Sequence, residues 1–214
     1  MGSVKSKRPS VTVFAGLYGT DYDHYLPAWL EAVKAAKPSA IVIGTDRKRT
    51  IPGVTVVVKK APATQRHPAA HYQNLAASAA DTEWLCQMQI DDLIRPDAFD
   101  GLDAVTADVW QVGYKRSDGY TYTPHAMPGA ALLALTDNPF VMASPIRREA
   151  FVAAGGYPDI AFEDFGLWRA LARGEHTFAA AGRITFDYSW HPETSRTGQD
   201  DTDRAAHLAE ALAL

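Results

Sequence analysis

Glu83-Trp84-Leu85-Cys86-Gln87-Met88-Gln89-Ile90-Asp91-Asp92 is the stretch on which the fold turns. Glu83 to Ile90 is a mainly apolar run bounded by polar residues, with the length of a buried strand rather than of a helix. It leads straight into two adjacent carboxylates, with Pro96 close behind. Ligands of open α/β sheets bind beyond the carboxyl ends of the strands. A strand that delivers two acids to that edge therefore predicts a polar site there. Hard divalent ions, Mg²⁺ and Mn²⁺, prefer carboxylate oxygen and accept diphosphate oxygens as further ligands. A helix cap beside a solvated acid is the plainer reading of the same pair.

Upstream, Val11 to Ala15 reads as a first buried strand closed by Gly16. Thr20-Asp21-Tyr22-Asp23 resembles a capping box, with Asp in the last place. Tyr25, Leu26, Trp29, Leu30 and Val33 then recur at helical spacing to about Ala36, where Pro38 ends the helix. Ala40 to Gly44 and Val54 to Val58 read as strands, with the polar loop Thr45 to Arg49 between them. Ala69 to Ala80 reads as a helix of small residues. This alternation predicts a mostly parallel sheet with helices on both faces.

Downstream the pattern is less regular. Val105 to Tyr114 and Phe140 to Ser144 read as strands, with Lys115 to Pro128 as a loop or hairpin. Arg147 to Ala154 is a short helix closed by Gly155-Gly156. Asp164 to Ala172 is a helix with Leu167, Trp168 and Leu171 inward. Thr177 to Ala180 and Ile184 to Tyr188 are short strands, and Asp203 to Leu212 is a last helix with Leu208 and Leu212 on one face. With 214 residues, no repeat and no linker, one domain over residues 10–214 is expected, preceded by a frayed basic tail from Met1 to Pro9.

The bulk numbers exclude several classes. Lys plus Arg is 21 and Asp plus Glu is 25, a net charge of −4, so nothing global draws the chain to nucleic acid or an anionic membrane. Nucleic acid stays a disfavoured partner. No window approaches the roughly 18 apolar residues of a membrane span, and the polar N-terminus does not read as a secretory signal. A cytoplasmic location is the expectation. The single cysteine, Cys86, rules out an intramolecular disulfide and reads as a buried small hydrophobe. There is no G-x-x-x-x-G-K-S/T, G-x-G-x-x-G, H-E-x-x-H or G-x-S-x-G.

Acid also ends other strands, at Asp21 and Asp46. Glu163-Asp164 precedes a helix, where the dipole favours acid for structural reasons alone; the functional alternative is a base that takes a proton from an acceptor hydroxyl. Trp190-His191-Pro192 follows a strand, with Ser195 and Arg196 beyond it. A lone histidine is more often structural, but this one is placed to meet a metal or a phosphate.

In this order the pieces resemble the family 2 type glycosyltransferases of the GT-A fold. Val11 to Gly19 resembles that family's opening strand, Leu26-Pro27-Ala28-Trp29-Leu30 its first helix, and Asn74 the asparagine of its arginine-asparagine helix. Gln89-Ile90-Asp91-Asp92 resembles the D-x-D-D metal motif. Arg147 to Tyr157 is similar to R-x-x-F-x-x-x-G-G-F/Y, Glu163 to Trp168 to E-D-x-x-L-W, and Tyr188 to Arg196 to Y-x-x-H-x-x-S. The resemblance runs from about Val11 to about Arg196.

It implies a single GT-A domain whose residues from about 10 to 100 hold a nucleoside diphosphate sugar, UDP- or GDP-linked, and whose residues from about 101 to 214 hold a hydroxyl-bearing acceptor. By position, Ala15, Leu17, Tyr18, Asp46, Asn74, Gln89 and Asp91 would contact the donor. Asp92 and His191 would hold Mn²⁺ or Mg²⁺. Asp164 would be the base of an inverting displacement, supported by Glu163. Trp110, Tyr114, Tyr157 and Trp168 would face the acceptor, with Tyr120, Tyr122, Lys115 and Arg116 nearby.

Two residues depart from the pattern: uncharged Gln89 stands where aspartate is usual, and Gln73 where arginine is usual. A non-catalytic sugar- or nucleotide-binding module is therefore one alternative. A glycosyltransferase acting on modified DNA bases is another. A nucleotidyltransferase is disfavoured, because Gly16-Leu17-Tyr18-Gly19 carries no Lys or Arg.

Overall fold

A computed structural model describes residues 9–191 and 201–214. The expected tail over residues 1–8, and Ser195 and Arg196, lie outside the described residues. The chain runs β1 (Val11–Leu17), α1 (Leu26–Ala36), β2 (Ala40–Thr45), β3 (Thr55–Val58), α2 (Pro68–Ser78), β4 (Trp84–Gln87), β5 (Leu93–Ile94), β6 (Val109–Arg116), β7 (Thr121–Tyr122), α3 (Gly129–Leu133), β8 (Ile146–Arg147), α4 (Arg148–Ala153), α5 (Glu163–Arg173), β9 (Phe178–Tyr188) and α6 (Asp201–Ala213).

Among the described residues nine strands form one sheet, ordered β3-β2-β1-β4-β8-β6-β9-β5, with β7 paired to β6. β3, β2, β1 and β4 run parallel, as do β6 and β9; the two-residue strands β5, β7 and β8 pair antiparallel. Apolar residues cover both faces, as a parallel sheet requires. Val11, Val13, Ala15 and Leu17 of β1 join Trp29, Val33 and Ala36 of α1 on one face. Phe14, one step out of phase, joins Val42, Leu85, and Leu167, Trp168 and Leu171 of α5 on the other. Trp168 is fully buried, and truncating such a side chain to alanine costs about 3–5 kcal/mol. The expected single α/β domain, a mostly parallel sheet with helices on both faces, is the observed fold.

Glycine lets α2 lie directly on the sheet. A Cβ at Gly44 would stand 2.1 Å from the Tyr72 carbonyl oxygen, and one at Gly16 would stand 3.0 Å from Tyr72 Cβ. The helix therefore rests on the backbone of β1 and β2, and this contact sets where Ala69 and Gln73 arrive.

Several boundaries differ from the sequence reading. α1 starts after Tyr25 with no side-chain cap. Thr20 to Asp23 forms a turn instead, with Asp23 held by Arg47 at 3.0 Å and Arg49 at 2.7 Å; these ion pairs outcompete a cap. The helix ends at Lys37 in a left-handed conformation, φ 53°, because Pro38 disfavours a helical residue before it. Phe140 to Ser144 is a turn, not a strand. Pro139 and Pro145 flank it, removing ladder donors, and the Asn138 side chain accepts from the Phe140 N–H at 3.2 Å. The two strands expected near the end are one strand, β9. Its register against β6 shifts on both sides of Gly113, and Gly182 at φ +65° lies in the β9 stretch that these irregularities leave bulged. β4 stops at Gln87, and the chain turns where the Asp92 N–H bonds the Gln89 carbonyl at 3.1 Å.

Cys86 is buried, its thiol donating to the Ala143 carbonyl at 3.3 Å, and burial pushes its pKa up to about 12. No helix among the described residues is long and apolar enough to cross a membrane.

Candidate functional site

One cleft of about 290 Å³ opens at the carboxyl ends of β1, β4 and β9. Gly16, Leu17 and Tyr18 come from the end of β1, and Ala69 and Gln73 from the first turns of α2. Gln89, Ile90 and Asp91 come from the turn after β4, and Ala161 to Asp164 from the start of α5. Tyr188, Ser189 and His191 come from the end of β9, and Tyr22 and Met142 complete the wall.

The turn after β4 decides which acid faces the cleft. Asp91 lines it, and its carboxylate lies 3.5 Å from His191 Nε2. Burial raises the Asp91 pKa, while its own backbone N–H and His191 pull the other way. Asp92 turns away and is 4% exposed. Its Oδ1 accepts from the Ser189 N–H at 2.9 Å, and burial, then the Asp91 charge, push its pKa well above the carboxylate range. The Ser189 hydroxyl donates to the Asp91 carbonyl. These bonds staple β9 to the turn and bring His191 to Asp91 across about a hundred residues. The acid beside His191 is thus one position from the expected ligand: Asp91 faces His191, and Asp92 serves the staple.

Glu163 and Asp164 occupy the first turn of α5, whose N-terminal dipole favours negative charge. Both line the cleft. Glu163 is buried, and Asp164 Oδ2 accepts from Asn138 Nδ2 at 2.7 Å. Asp91, Glu163 and Asp164 therefore share one cleft, and no Lys or Arg among the described residues lines it. A diphosphate entering it would meet like charge. His191 Nε2 is buried with no hydrogen-bond partner among the described residues. The Asp91 carboxylate and this orphaned nitrogen fit a divalent cation that takes its other ligands from phosphate and water. No group of three protein ligands exists among the described residues.

Of the other expected donor contacts, Leu17, Tyr18 and Gln89 line the cleft, the Gln89 amide donating to Met142 sulfur at 3.2 Å. Tyr18 stacks on Tyr72 with ring centroids 4.9 Å apart. Three expected contacts are elsewhere. Ala15 is fully buried against α1, because its side chain points to the inner face of the sheet. Asp46 lies beside the turn at Gly19, accepting that residue's N–H at 3.3 Å, and does not line the cleft. Asn74 clasps Tyr157 instead: its Nδ2 donates to the Tyr157 carbonyl at 2.7 Å and its Oδ1 accepts the Tyr157 N–H at 2.9 Å.

The expected acceptor residues also divide. Trp110, Tyr157 and Trp168 are core residues, 6%, 3% and 0% exposed. They lie on inward faces of β6, of the turn before α5 and of α5. Tyr114 belongs to an aromatic cluster with Tyr120, Tyr122, Phe186 and Tyr188, and Tyr188 reaches the cleft. The hairpin joins the same end of β9: Arg116 lies 4.2 Å over the Trp190 ring, and the Trp190 N–H bonds the Ser117 hydroxyl at 3.1 Å. Gln73, Tyr22, Met142, Ser189 and Asn138 are site residues that sequence reasoning missed. Only Gln73 carried a signal, its departure from the Arg-Asn pattern.

No protein-family model matches the chain, and no curated protein matches it in sequence. Solved structures do. The mannosyltransferase PcManGT from Pyrobaculum calidifontis, in complex with GDP-Man and Mn²⁺, aligns with a TM-score of 0.66 at 15% identity, over 97% of this chain and 64% of that one. TarS 1-349 from S. aureus in complex with UDP-GlcNAc aligns at 0.65 and 12% identity, over 95% and 65%. Its complex with UDP aligns at 0.65 and 14%, over 95% and 70%. The chain thus spans about two thirds of the length of these proteins. At such identities the likeness is one of fold: this chain has the α/β fold of structures that carry UDP, UDP-GlcNAc and GDP-Man, with a cleft at its carboxyl edge where three acids and a histidine meet.

Proposed function

We propose that the chain is a glycosyltransferase that moves a sugar from a nucleoside diphosphate sugar, UDP- or GDP-linked, to an acceptor hydroxyl. One observation carries this reading: Asp91, His191, Glu163 and Asp164, drawn from three separate segments, converge on one cleft that no Lys or Arg among the described residues lines. Bound UDP, UDP-GlcNAc and GDP-Man with Mn²⁺ in structures of the same fold support it.

Asp91 and His191 would hold Mn²⁺ or Mg²⁺, which when bound neutralises the charge that grows on the departing diphosphate. Tyr18, on its Tyr72 stack, offers a ring to the nucleobase at the mouth of the cleft. Asp164 takes the proton of the acceptor hydroxyl as that oxygen bonds the anomeric carbon. The bond from that carbon to the diphosphate breaks, and the nucleoside diphosphate leaves with the bond's electron pair. The attack is from the face opposite the leaving group, so configuration inverts. Asn138 fixes one Asp164 oxygen and leaves the carboxylate oriented. Residues from about 10 to 100 form the donor half and later ones the acceptor half, with Tyr114, Tyr120 and Tyr122 beside the acceptor.

The test is a thermal-shift panel of UDP, GDP, CDP and TDP sugars with and without Mn²⁺. Ligand linkage raises the melting temperature only for a donor that binds. No shift with any of them refutes the reading. Asp164→Asn should then lower transfer by roughly 10²-fold or more; undiminished transfer removes Asp164 as base.

A binding module without catalysis is the second reading, favoured by the uncharged Gln89. Slow, Mn²⁺-dependent release of UDP or GDP from the donor alone separates the two in favour of the enzyme.

A further inference from the structure

The Gln73 side chain lines the cleft, and the proposed mechanism does not use its chemistry. It projects from α2 into the cleft wall beside the end of β1, is 1% exposed, and its Oε1 meets no hydrogen-bond donor among the described residues. Leaving a buried carbonyl oxygen unpaired is costly. Surrounding structure holds it there all the same. The Gly16 contact seats this turn of α2 on β1. The next residue, Asn74, is tied at both ends of its amide to Tyr157, six residues before Glu163. Gln73 is therefore held in the wall of the same cleft that Glu163 and Asp164 line.

From this placement we infer that Gln73 is a specificity-determining residue: its Oε1 accepts a hydrogen bond from a hydroxyl of the transferred sugar, not from the nucleotide. This rests on the glycosyl-transfer reading. The surroundings agree with a ligand rich in O–H donors. Asp91, Glu163 and Asp164 offer acceptor oxygens, and no Lys or Arg among the described residues lines the cleft. A polyhydroxylated ring supplies O–H donors that match these acceptors. An arginine at the same position would meet anionic oxygens, so the glutamine shifts this wall from phosphate to sugar recognition.

The experiment compares affinities of each nucleoside diphosphate sugar and its bare nucleoside diphosphate, with Mn²⁺, for the unaltered chain, Gln73→Leu and Gln73→Glu. Gln73→Leu should weaken binding of the sugar nucleotide about threefold to tenfold and leave the bare diphosphate within about twofold. Gln73→Glu keeps the acceptor; its added charge lowers both affinities, but their ratio should return to that of the unaltered chain. Melting temperatures without ligand show whether both variants fold; where Gln73→Leu does not, Gln73→Met, which also removes the acceptor, is read in its place. Equal losses for sugar nucleotide and bare diphosphate in Gln73→Leu, no loss in either, or a ratio in Gln73→Glu as low as in Gln73→Leu would each overturn the assignment. If the unaltered chain binds no nucleotide, the glycosyl-transfer reading fails, and this one with it. If it binds and the ratios do not move, only the role of Gln73 fails.

Discussion

Asn74→Ala separates a structural clasp from a ligand contact. Asn74 makes two hydrogen bonds to Tyr157, donating at 2.7 Å and accepting at 2.9 Å. Each is worth about 1 kcal/mol net. Tyr157 is 3% exposed, so its released N–H and carbonyl are slow to find water, and an unmatched buried group adds about 1 kcal/mol or more. The sum is about 3 kcal/mol. For a domain of this size that lowers the melting temperature by about 6–12 °C. Calorimetry or chemical denaturation without ligand reads it directly. Gly156→Ala should act in the same direction, since a Cβ there would stand 2.5 Å from Asn74 Oδ1 on a backbone at φ +74°. A donor-contact role for Asn74 predicts the opposite pattern, unchanged melting and weaker nucleotide-sugar binding. An Asn74→Ala variant that melts within about 1 °C of the parent refutes the clasp.

Asp91→Asn should weaken Mn²⁺-dependent nucleotide binding roughly tenfold or more, whereas Asp92→Asn should change it far less, because its Oδ1 still accepts from Ser189; calorimetric titration in both variants decides, and equal losses refute the one-position correction. Cys86, with its pKa near 12, should resist a thiol reagent at pH 8 until denaturant is added, and fast native labelling would contradict its burial. Asp159 accepts the N–H groups of Arg66 and His67 at 3.1 and 2.8 Å, ahead of α2. Burial works against its ionised form, but these bonds and the charge nearby hold its pKa below the usual carboxylate value. A depressed folded pKa stabilises above the unfolded value near pH 4 and loses that contribution as pH falls through the folded value. Asp159→Asn should therefore cost about 0.5–1 kcal/mol at pH 7 and progressively less as the pH falls below about 4; a pH-independent difference refutes it.

The strands and helices that the sequence made legible are those with strong periodicity and sharp boundaries: β1, β2, α1 and α5. Residues 139–147 misled because Phe140, Val141 and Met142 look like a strand, while flanking prolines and the Asn138 side chain make a turn. At the site, sequence located segments but not faces. Consecutive residues on a helix diverge by about 100°, so Gln73 enters the cleft while Asn74 leaves it. A tight turn does the same to Asp91 and Asp92. Trp110, Tyr157 and Trp168 carry chemistry that suits a sugar and also suits a core, and only packing distinguishes the two uses. Ser189 and Asn138 gave no signal, since a staple or a carboxylate prop depends on contacts across the fold.

The button formed by Arg116, Ser117 and Trp190 has a mechanical consequence. It ties the aromatic hairpin to the strand end one residue before His191, so neither can move without the other. An acceptor bulky enough to lift Tyr120 would pull on Trp190 and open the spacing between imidazole and Asp91 carboxylate. Turnover would then fall with acceptor girth through a loosened cation grip, while Asp164, anchored separately by Asn138, stayed in place.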